Sequence, residues 1–179
     1  MRDFYEIEIE GVKRKLEKFS VNEHLDIAAF ILFSDVEITV ASATALLKKA
    51  PEFDVIFTPE AKSIPLAYEM ARQSGKPYVV GRKGVKVYMA DPIFVEVQSI
   101  TTKNVQKLYL GSNDVELIKG KRVLIVDDVI STGESLAACE SLIEKAGGNI
   151  VAKTAVLAEG DAADRTDIIF LQKLPLFFK

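Results

Sequence analysis

The sequence has 179 residues, enough for one domain with its own hydrophobic core. Hydrophobic residues make up 49% and charged residues 27%, a globular composition that excludes disordered and fibrous classes. The formal net charge of -3 argues against nucleic acid as a partner, and apolar runs such as 27–33 are too short to span a membrane. Since the single cysteine, Cys139, cannot form an internal disulfide, we expect a cytoplasmic protein.

The first fifty residues predict a small subregion ahead of the main fold. Apolar and polar residues alternate over Phe4–Ile9 and again over 12–19, which predicts a short hairpin, with a helix over 12–19 as the alternative. The apolar run 27–33 is expected to be buried. Residues 35–50 predict a helix that ends before a proline.

From residue 53 onward, predicted strands alternate with predicted helices. The strands are predicted at 53–58, 77–80, 123–126, 150–157 and 168–171, and the helices at 63–74 and 134–146. Several of these strands are wholly apolar, which is typical of a mostly parallel sheet with helices on both faces. The intervening segment 82–110 lacks helical spacing and is expected to leave the sheet as a long excursion. Its β-rich pieces lie at 85–89, 93–97 and 107–110.

One segment, 123–135, carries most of the chemistry. It reads VLIVDDVISTGES: an apolar strand, the carboxylates of Asp127 and Asp128, then a loop of small and hydroxyl residues that opens a helix. Ligands bind at that end of a strand in an open α/β sheet, and free N–H groups at a helix N-terminus suit a phosphate. Gly133 permits a close backbone approach. Hydroxyl donors are supplied by Ser131, Thr132 and Ser135.

The two aspartates limit what this loop can bind. They would repel a phosphate that they faced, whereas vicinal hydroxyls would donate hydrogen bonds to them. A phosphorylated sugar satisfies both halves of the segment. In the alternative interpretation, Asp127 and Asp128 merely end a strand and residues 131–135 merely cap a helix.

The whole thirteen-residue string resembles the motif of type I phosphoribosyltransferases that binds 5-phosphoribosyl-1-pyrophosphate (PRPP). It is not a Walker A loop, because the lysine after the last glycine is missing. The resemblance implies an α/β type I fold and a glycosyltransferase that moves a pentosyl group and releases pyrophosphate. It assigns ribose and 5′-phosphate binding to Asp127, Asp128, Val129, Ile130, Ser131, Thr132, Gly133, Glu134 and Ser135.

The resemblance extends to two further loops. The string TPEAKSIP at 58–65 lies where this family keeps its pyrophosphate loop, and Arg82-Lys83 looks like a pair found in adenine and xanthine phosphoribosyltransferases. The implied pyrophosphate-binding residues are Glu60, Ala61, Lys62, Ser63, Arg82, Lys83 and Lys86. Lys83 joins the two aspartates as a catalytic candidate. Alternatively, Lys62 is a solvated loop lysine and Lys86 belongs to an exposed turn.

The resemblance covers roughly residues 53–171 of a single domain, 1–179, and makes residues 1–50 a hood over the base. Residues 155–160 and Asp164-Arg165 look like the adenine-type enzymes, which favours adenine as the base and a role in purine salvage. The string Leu108-Tyr109-Leu110-Gly111 departs from the adenine-type Leu-Glu-Tyr-Gly and lacks its glutamate. Xanthine or hypoxanthine is the alternative base. A second class of protein, a regulator that senses PRPP without catalysing a reaction, is also considered. A subunit of a pyrimidine biosynthetic enzyme is disfavoured.

The resemblance also implies a cofactor and an assembly. No Cys/His cluster has metal-ligand spacing, so Mg²⁺ is expected to arrive with PRPP, held by pyrophosphate oxygens and water rather than by the protein alone. The implied partners are PRPP and a purine base, with no nucleic acid and no membrane. A homodimer is expected, with spare apolar surface at 27–33 and 174–178.

Overall fold

The computed structural model describes residues 2–98 and 105–179. The strands are β1 (Phe4–Ile9), β2 (Val12–Asn22), β3 (Leu25–Ala28), β4 (Val55–Pro59), β5 (Tyr78–Gly81), β6 (Ile93–Gln98), β7 (Val105–Leu110), β8 (Arg122–Ile130), β9 (Asn149–Glu159), β10 (Ile169–Leu174) and β11 (Phe177–Phe178). The α-helices are α1 (Val36–Lys49), α2 (Ile64–Ser74), α3 (Ser112–Ile118) and α4 (Glu134–Lys145). In this part of the chain, none of the helices has the length and apolar character that crossing a membrane requires.

A parallel five-stranded sheet forms the centre of the fold, with the strand order β10-β9-β8-β4-β5. Strand β8 lies in the middle of the sheet, and its residues 123–126 are fully buried. Such a strand needs apolar side chains on both faces, which explains its continuous Val-Leu-Ile-Val run. The predicted parallel sheet and its central strand are confirmed.

Helices cover both faces of this sheet. Leu124 and Val126 of β8 join one core cluster with α1 and α2 residues, whereas Val123 and Ile125 join a second cluster with α4 residues. This division follows from the strand geometry, because successive side chains point to opposite faces. The helices end close to the predicted positions. For example, Gly75 closes α2 with a left-handed φ of 67°.

The segment after β5 is partly as predicted. Strands β6 and β7 pair as an antiparallel hairpin, and backbone hydrogen bonds between Arg82 and Tyr109 join β7 to the end of β5. The β-rich prediction for 85–89 is wrong, since those residues form turns in which Val87 and Tyr88 are exposed. Helix α3 was not predicted; of its residues only Ile118 is buried, so it lacks a clear apolar stripe. Residues 99–104 lie outside the described ranges.

The N-terminal strands form a separate antiparallel sheet with the order β1-β2-β3-β11. The predicted hairpin is confirmed, and the helical alternative over 12–19 is wrong. The expected burial of 27–33 holds only in part: Phe30 and Leu32 are buried, but Ile31 and Phe33 are about half exposed, because the extended chain alternates its side chains. Helix α1, although part of the predicted hood, packs against α2 in the helix layer of the main sheet.

Gly148 offers a direct test of packing in the second core cluster. A Cβ at this position would lie 2.6–2.9 Å from methyl groups of Ile118, Ile143 and Val123. We expect Gly148→Ala to lower the free energy of unfolding by about 1–3 kcal/mol, a Tm decrease of roughly 2–4 °C per kcal/mol. Thermal denaturation of this variant beside Gly84→Ala, where a Cβ meets no atom within 4 Å, checks the expectation. Equal Tm values for the two variants would contradict it.

Candidate active site at the carboxyl edge of the sheet

The carboxyl ends of β4, β5 and β8 lie at one edge of the sheet, because these strands are parallel neighbours. The loops that leave them surround a cavity of about 360 Å³. Its lining consists of Pro59, Glu60, Ala61, Lys62, Ser63, Lys83, Leu108, Asp127, Asp128, Val129 and Ser135. Most of the predicted site residues are therefore brought together in space.

Asp127 and Asp128 lie inside β8 rather than after it. The strand continues to Ile130 because β9 remains paired with it, as far as Ile130 opposite Ala158. Both aspartates are buried, with 8% and 3% of their surface exposed. The predicted strand 123–126 is thus too short. The pairing of β8 with β9 holds the two aspartates within the sheet rather than in a loop.

Burial sets the protonation of Asp127. Desolvation, followed by the neighbouring charge of Asp128, raises the pKa of Asp127 well above its usual range. Hydrogen bonds from the Asp128 N–H, at 2.9 Å, and from the Ser63 hydroxyl favour the charged form but do not outweigh burial. Because burial and the neighbouring charge both disfavour its ionised form, Asp127 retains its proton more readily than an isolated aspartate does.

Lys62 provides a countercharge for this pair. Its Nζ lies 2.9 Å from Oδ2 of Asp128, while the lysine side chain itself is half-exposed. The same buried oxygen, however, accepts no hydrogen bond of adequate geometry from any residue in the ranges 2–98 and 105–179. The ion pair with Lys62 offsets the cost of burying this oxygen, which can still accept a hydrogen bond from a ligand hydroxyl.

The loop between β8 and α4, residues 131–133, forms a second and smaller cavity. Gly133 adopts a left-handed φ of 84°, and its carbonyl accepts the Ala137 N–H at 2.9 Å. The cavity has a volume of about 100 Å³. It is lined by Asp127, Val129, Ile130, Ser131, Thr132, Gly133, Ser135 and Leu136. Glu134 begins α4, so the cavity meets the N-terminus of a twelve-residue helix, where N–H groups favour an anion.

The loop between β4 and α2 is fixed by buried hydroxyl groups. The Thr58 hydroxyl donates to Ser63 Oγ at 2.7 Å, and the Ser63 hydroxyl contacts the Pro59 carbonyl at 3.1 Å. The Glu60–Ala61 peptide is cis. Ser63 and Asp127 line the same cavity, and the Ser63 hydroxyl lowers the pKa of Asp127, so this loop adjoins the diacid pair.

Glu60 connects the β4–α2 loop with the residues after β5. Its carboxylate accepts the Lys83 N–H at 2.9 Å and lies 3.4 Å from Arg82 Nη2. Lys83 lines the larger cavity, whereas Arg82 and Lys86 line neither cavity. The Lys86 N–H contacts the Met89 sulfur at 3.3 Å.

Sequence reasoning did not assign several residues of the site: Pro59 and Leu108, which line the larger cavity, Leu136, which lines the smaller one, and Thr58, which supports the β4–α2 loop. Leu108 reaches the larger cavity from β7, and nothing in the local sequence indicates this long-range contact. Thr58 was quoted only as part of a string, although a hydroxyl at the end of an otherwise apolar strand is a usable signal. As to metals, the described residues contain no group of three or more His, Cys, Asp or Glu side chains that could hold an ion.

A parallel sheet with a buried diacid and two anion-suited loops at one edge defines the type I phosphoribosyltransferase fold. The phosphoribosyl transferase domain family matches residues 36–173, and the chain belongs to this family.

The sequence matches relatives of two kinds, hypoxanthine/guanine phosphoribosyltransferases and adenine phosphoribosyltransferases. A hypoxanthine/guanine phosphoribosyltransferase of Methanococcus voltae is 40% identical over 112 residues, covering 63% of this chain and 56% of the relative. An adenine phosphoribosyltransferase of Thermotoga petrophila is 37% identical over 100 residues, covering 56% of each chain. The matched region therefore spans just over half the length of these relatives.

Solved structures confirm the fold. The adenine phosphoribosyltransferase of Thermoanaerobacter pseudethanolicus superposes with a TM-score of 0.68 at 24% identity, covering 95% of both chains. The enzyme from Saccharomyces cerevisiae, solved with an imino-altritol bisphosphate and adenine, gives a TM-score of 0.71 at 20% identity, covering 88% of this chain and 93% of that one.

The raised pKa of Asp127 predicts a pH-dependent stability. Since the folded state binds this proton more tightly than the unfolded chain, the free energy of unfolding falls as pH rises from about 3.8 through the raised pKa. Asp127→Asn removes that penalty, so we expect its Tm to exceed the wild-type Tm at pH 8 and to approach it at pH 4. Calorimetry beside the exposed Asp161→Asn provides the control. A Tm difference independent of pH would contradict the assignment.

Proposed function

We propose that this protein is a purine phosphoribosyltransferase, which transfers the 5-phosphoribosyl group of PRPP to a purine base and releases pyrophosphate. The observation that carries the proposal is the buried pair of carboxylates, Asp127 and Asp128, between two anion-suited loops. PRPP carries a 5′-phosphate, a vicinal diol and a pyrophosphate along its ribose. These groups match, in turn, the 131–135 segment, the diacid and the loop after β4.

The geometry supports a distinct role for each part of the site. The diacid accepts hydrogen bonds from the ribose hydroxyls, and the 131–135 segment holds the 5′-phosphate. Amides of 61–63 with Lys62 and Lys83 face the pyrophosphate. Because Lys62 is paired with Asp128 before substrate binds, it has to exchange that carboxylate for the pyrophosphate when the diol arrives.

The reaction breaks the bond between C1 of the ribose and the pyrophosphate oxygen, and forms a bond from C1 to a ring nitrogen of the base. The electron pair of the broken bond leaves with pyrophosphate, and the N–H proton of the base passes to that pyrophosphate or to solvent. Positive charge on the sugar and negative charge on the leaving group develop together, so fixed charges provide the catalysis. Mg²⁺ carried by the substrate would neutralise part of the charge on the leaving group.

Adenine is the base we propose, because residues 155–160 and Asp164-Arg165 are similar to the adenine-type enzymes. Hypoxanthine is the alternative, supported by the name of the Methanococcus voltae relative. Tyr109 stands where adenine-type enzymes have their glutamate, so an acid catalyst is not carried over to this position. We also propose a cytoplasmic location, from the single buried cysteine, and no nucleic-acid partner, from the net charge of -3.

Pyrophosphate release separates an enzyme from a PRPP-binding regulator. We expect the wild type to release pyrophosphate from PRPP in the presence of one purine in a panel of bases. Lys83→Ala should lower kcat by about 100-fold, because Lys83 faces charge that grows in the transition state. PRPP affinity should fall much less, by about tenfold or under.

The control is Lys76→Ala, which removes an exposed lysine at the opposite end of β5. Its kcat should equal that of the wild type. If the wild type binds PRPP but releases no pyrophosphate with any purine or pyrimidine, the protein is a PRPP-binding regulator and not an enzyme.

We further propose a homodimer, supported by an exposed apolar groove of about 300 Å³ beside α1 and α2. Its lining includes Phe33, Val36 and Tyr68, which are 50%, 73% and 55% exposed. The ring of Tyr68 packs edge-on against Tyr78 at 6.3 Å, which extends the apolar surface. Surface of this kind is typical of an interface.

Light scattering tests this assembly. We expect a mass of twice 19.7 kDa for the wild type at micromolar concentration. Val36→Glu with Tyr68→Glu should give the monomer mass, because charges would be buried without partners. The matched control, Phe19→Glu, changes a residue of β2 with 51% exposure and should remain dimeric. A monomeric wild type would show that the groove has another role.

A further inference from the structure

The 127–135 segment is poor in positive charge for a phosphate site. It contains Asp127, Asp128 and Glu134, and it has no lysine or arginine. A phosphate monoester carries about -1.5 to -2 charges at neutral pH. Hydroxyl groups and backbone amides contribute only partial positive charge, so a cation from another part of the chain would improve binding.

Arg165 supplies such a cation. It directly follows the short 3-10 helix Gly160–Asp164, which leaves the carboxyl end of β9. Since β9 is the parallel neighbour of β8, the two carboxyl ends meet at the same edge. A Cβ built on Gly133 would lie 2.9 Å from Arg165 Nη1, so the guanidinium fills the space that a side chain at position 133 would need.

The orientation of this guanidinium is fixed from its other side. Nε and Nη2 of Arg165 donate to the two carboxylate oxygens of Asp167 at 2.9 and 2.7 Å. Asp167 also accepts from Lys153 at 2.6 Å, and Lys153 contacts Glu140 of α4 at 2.8 Å. This arrangement leaves Nη1 directed towards Gly133. The bidentate geometry is stronger and more specific than a single surface ion pair.

We propose that Arg165 is a positioning residue for the 5′-phosphate of PRPP. Its guanidinium packs against Gly133 and supplies the positive charge that the loop lacks. The proposal rests on the proposed function of the 127–135 segment. Arg165 does not line the 100 Å³ cavity, so it acts through Gly133 and through its charge rather than as a direct ligand. A purely structural ion pair with Asp167 would stabilise the fold but would not distinguish one ligand from another.

Calorimetric titration with three probes separates these roles: PRPP, ribose 5-phosphate and pyrophosphate, each with Mg²⁺ and at up to millimolar concentration. Arg165→Gln should weaken binding of PRPP and ribose 5-phosphate by about tenfold, the effect of one charge a few ångströms from a phosphate at partial solvent exposure. Its affinity for pyrophosphate should stay within about twofold of the wild type. Arg165→Lys should recover part of the lost affinity.

Two further variants make the test sharper. Asp167→Asn retains the arginine but weakens the hydrogen bonds that orient it, so its loss of ribose 5-phosphate affinity should be intermediate. Lys173→Gln is the matched control: it removes a cation that pairs with the exposed Asp164 at 3.3 Å, and all three affinities should equal those of the wild type.

The outcomes distinguish this inference from the proposed function. If the wild type binds PRPP and Arg165→Gln binds it equally well, the positioning role is wrong although the function stands. Equal losses for ribose 5-phosphate and pyrophosphate would mark a general structural role and would also overturn it. If the wild type binds neither PRPP nor ribose 5-phosphate, the proposed function fails, and this inference fails with it.

Discussion

Two adjacent carboxylates buried in the central strand are the constraint on which the rest of this structure depends. An unpaired charge away from water is very costly, so the surroundings of Asp127 and Asp128 have to compensate it. Lys62 and Ser63 do so in part, and both come from the loop after β4. The same loop is joined through Glu60 to the residues after β5. Three strand ends are therefore organised around one pair of acids.

The sequence predicts this centre well because its parts are contiguous. The apolar run of β8, the two aspartates, the hydroxyl-rich loop and the start of α4 follow one another within 123–135, so local geometry alone fixes their relation. The alternation of strands and helices likewise determines a parallel sheet. The end of β8 was misjudged, because pairing with β9, which local sequence does not encode, carries the strand through the acids.

The features that were not predicted depend on contacts between distant segments. The approach of Arg165 to Gly133 results from the pairing of β8 with β9, and Leu108 reaches the cavity from a separate hairpin. Residues 85–89 have the composition of a strand but pair with no strand in the described part of the chain, and Val87 and Tyr88 lie exposed in a turn. The pairing of β11 with β3 also has no local signal, because a strand of two residues is too short to show an alternation of apolar and polar side chains.

The ion pair between Lys62 and Asp128 has a consequence for selectivity if PRPP is the ligand. A sugar phosphate that offers only a diol would displace the half-exposed lysine from its carboxylate and return only water to it. A sugar that also carries a pyrophosphate gives the lysine an anion in exchange. The resting contact thus acts as an internal competitor. It would disfavour ribose 5-phosphate, the hydrolysed form of PRPP, which would otherwise occupy the same loop and diacid.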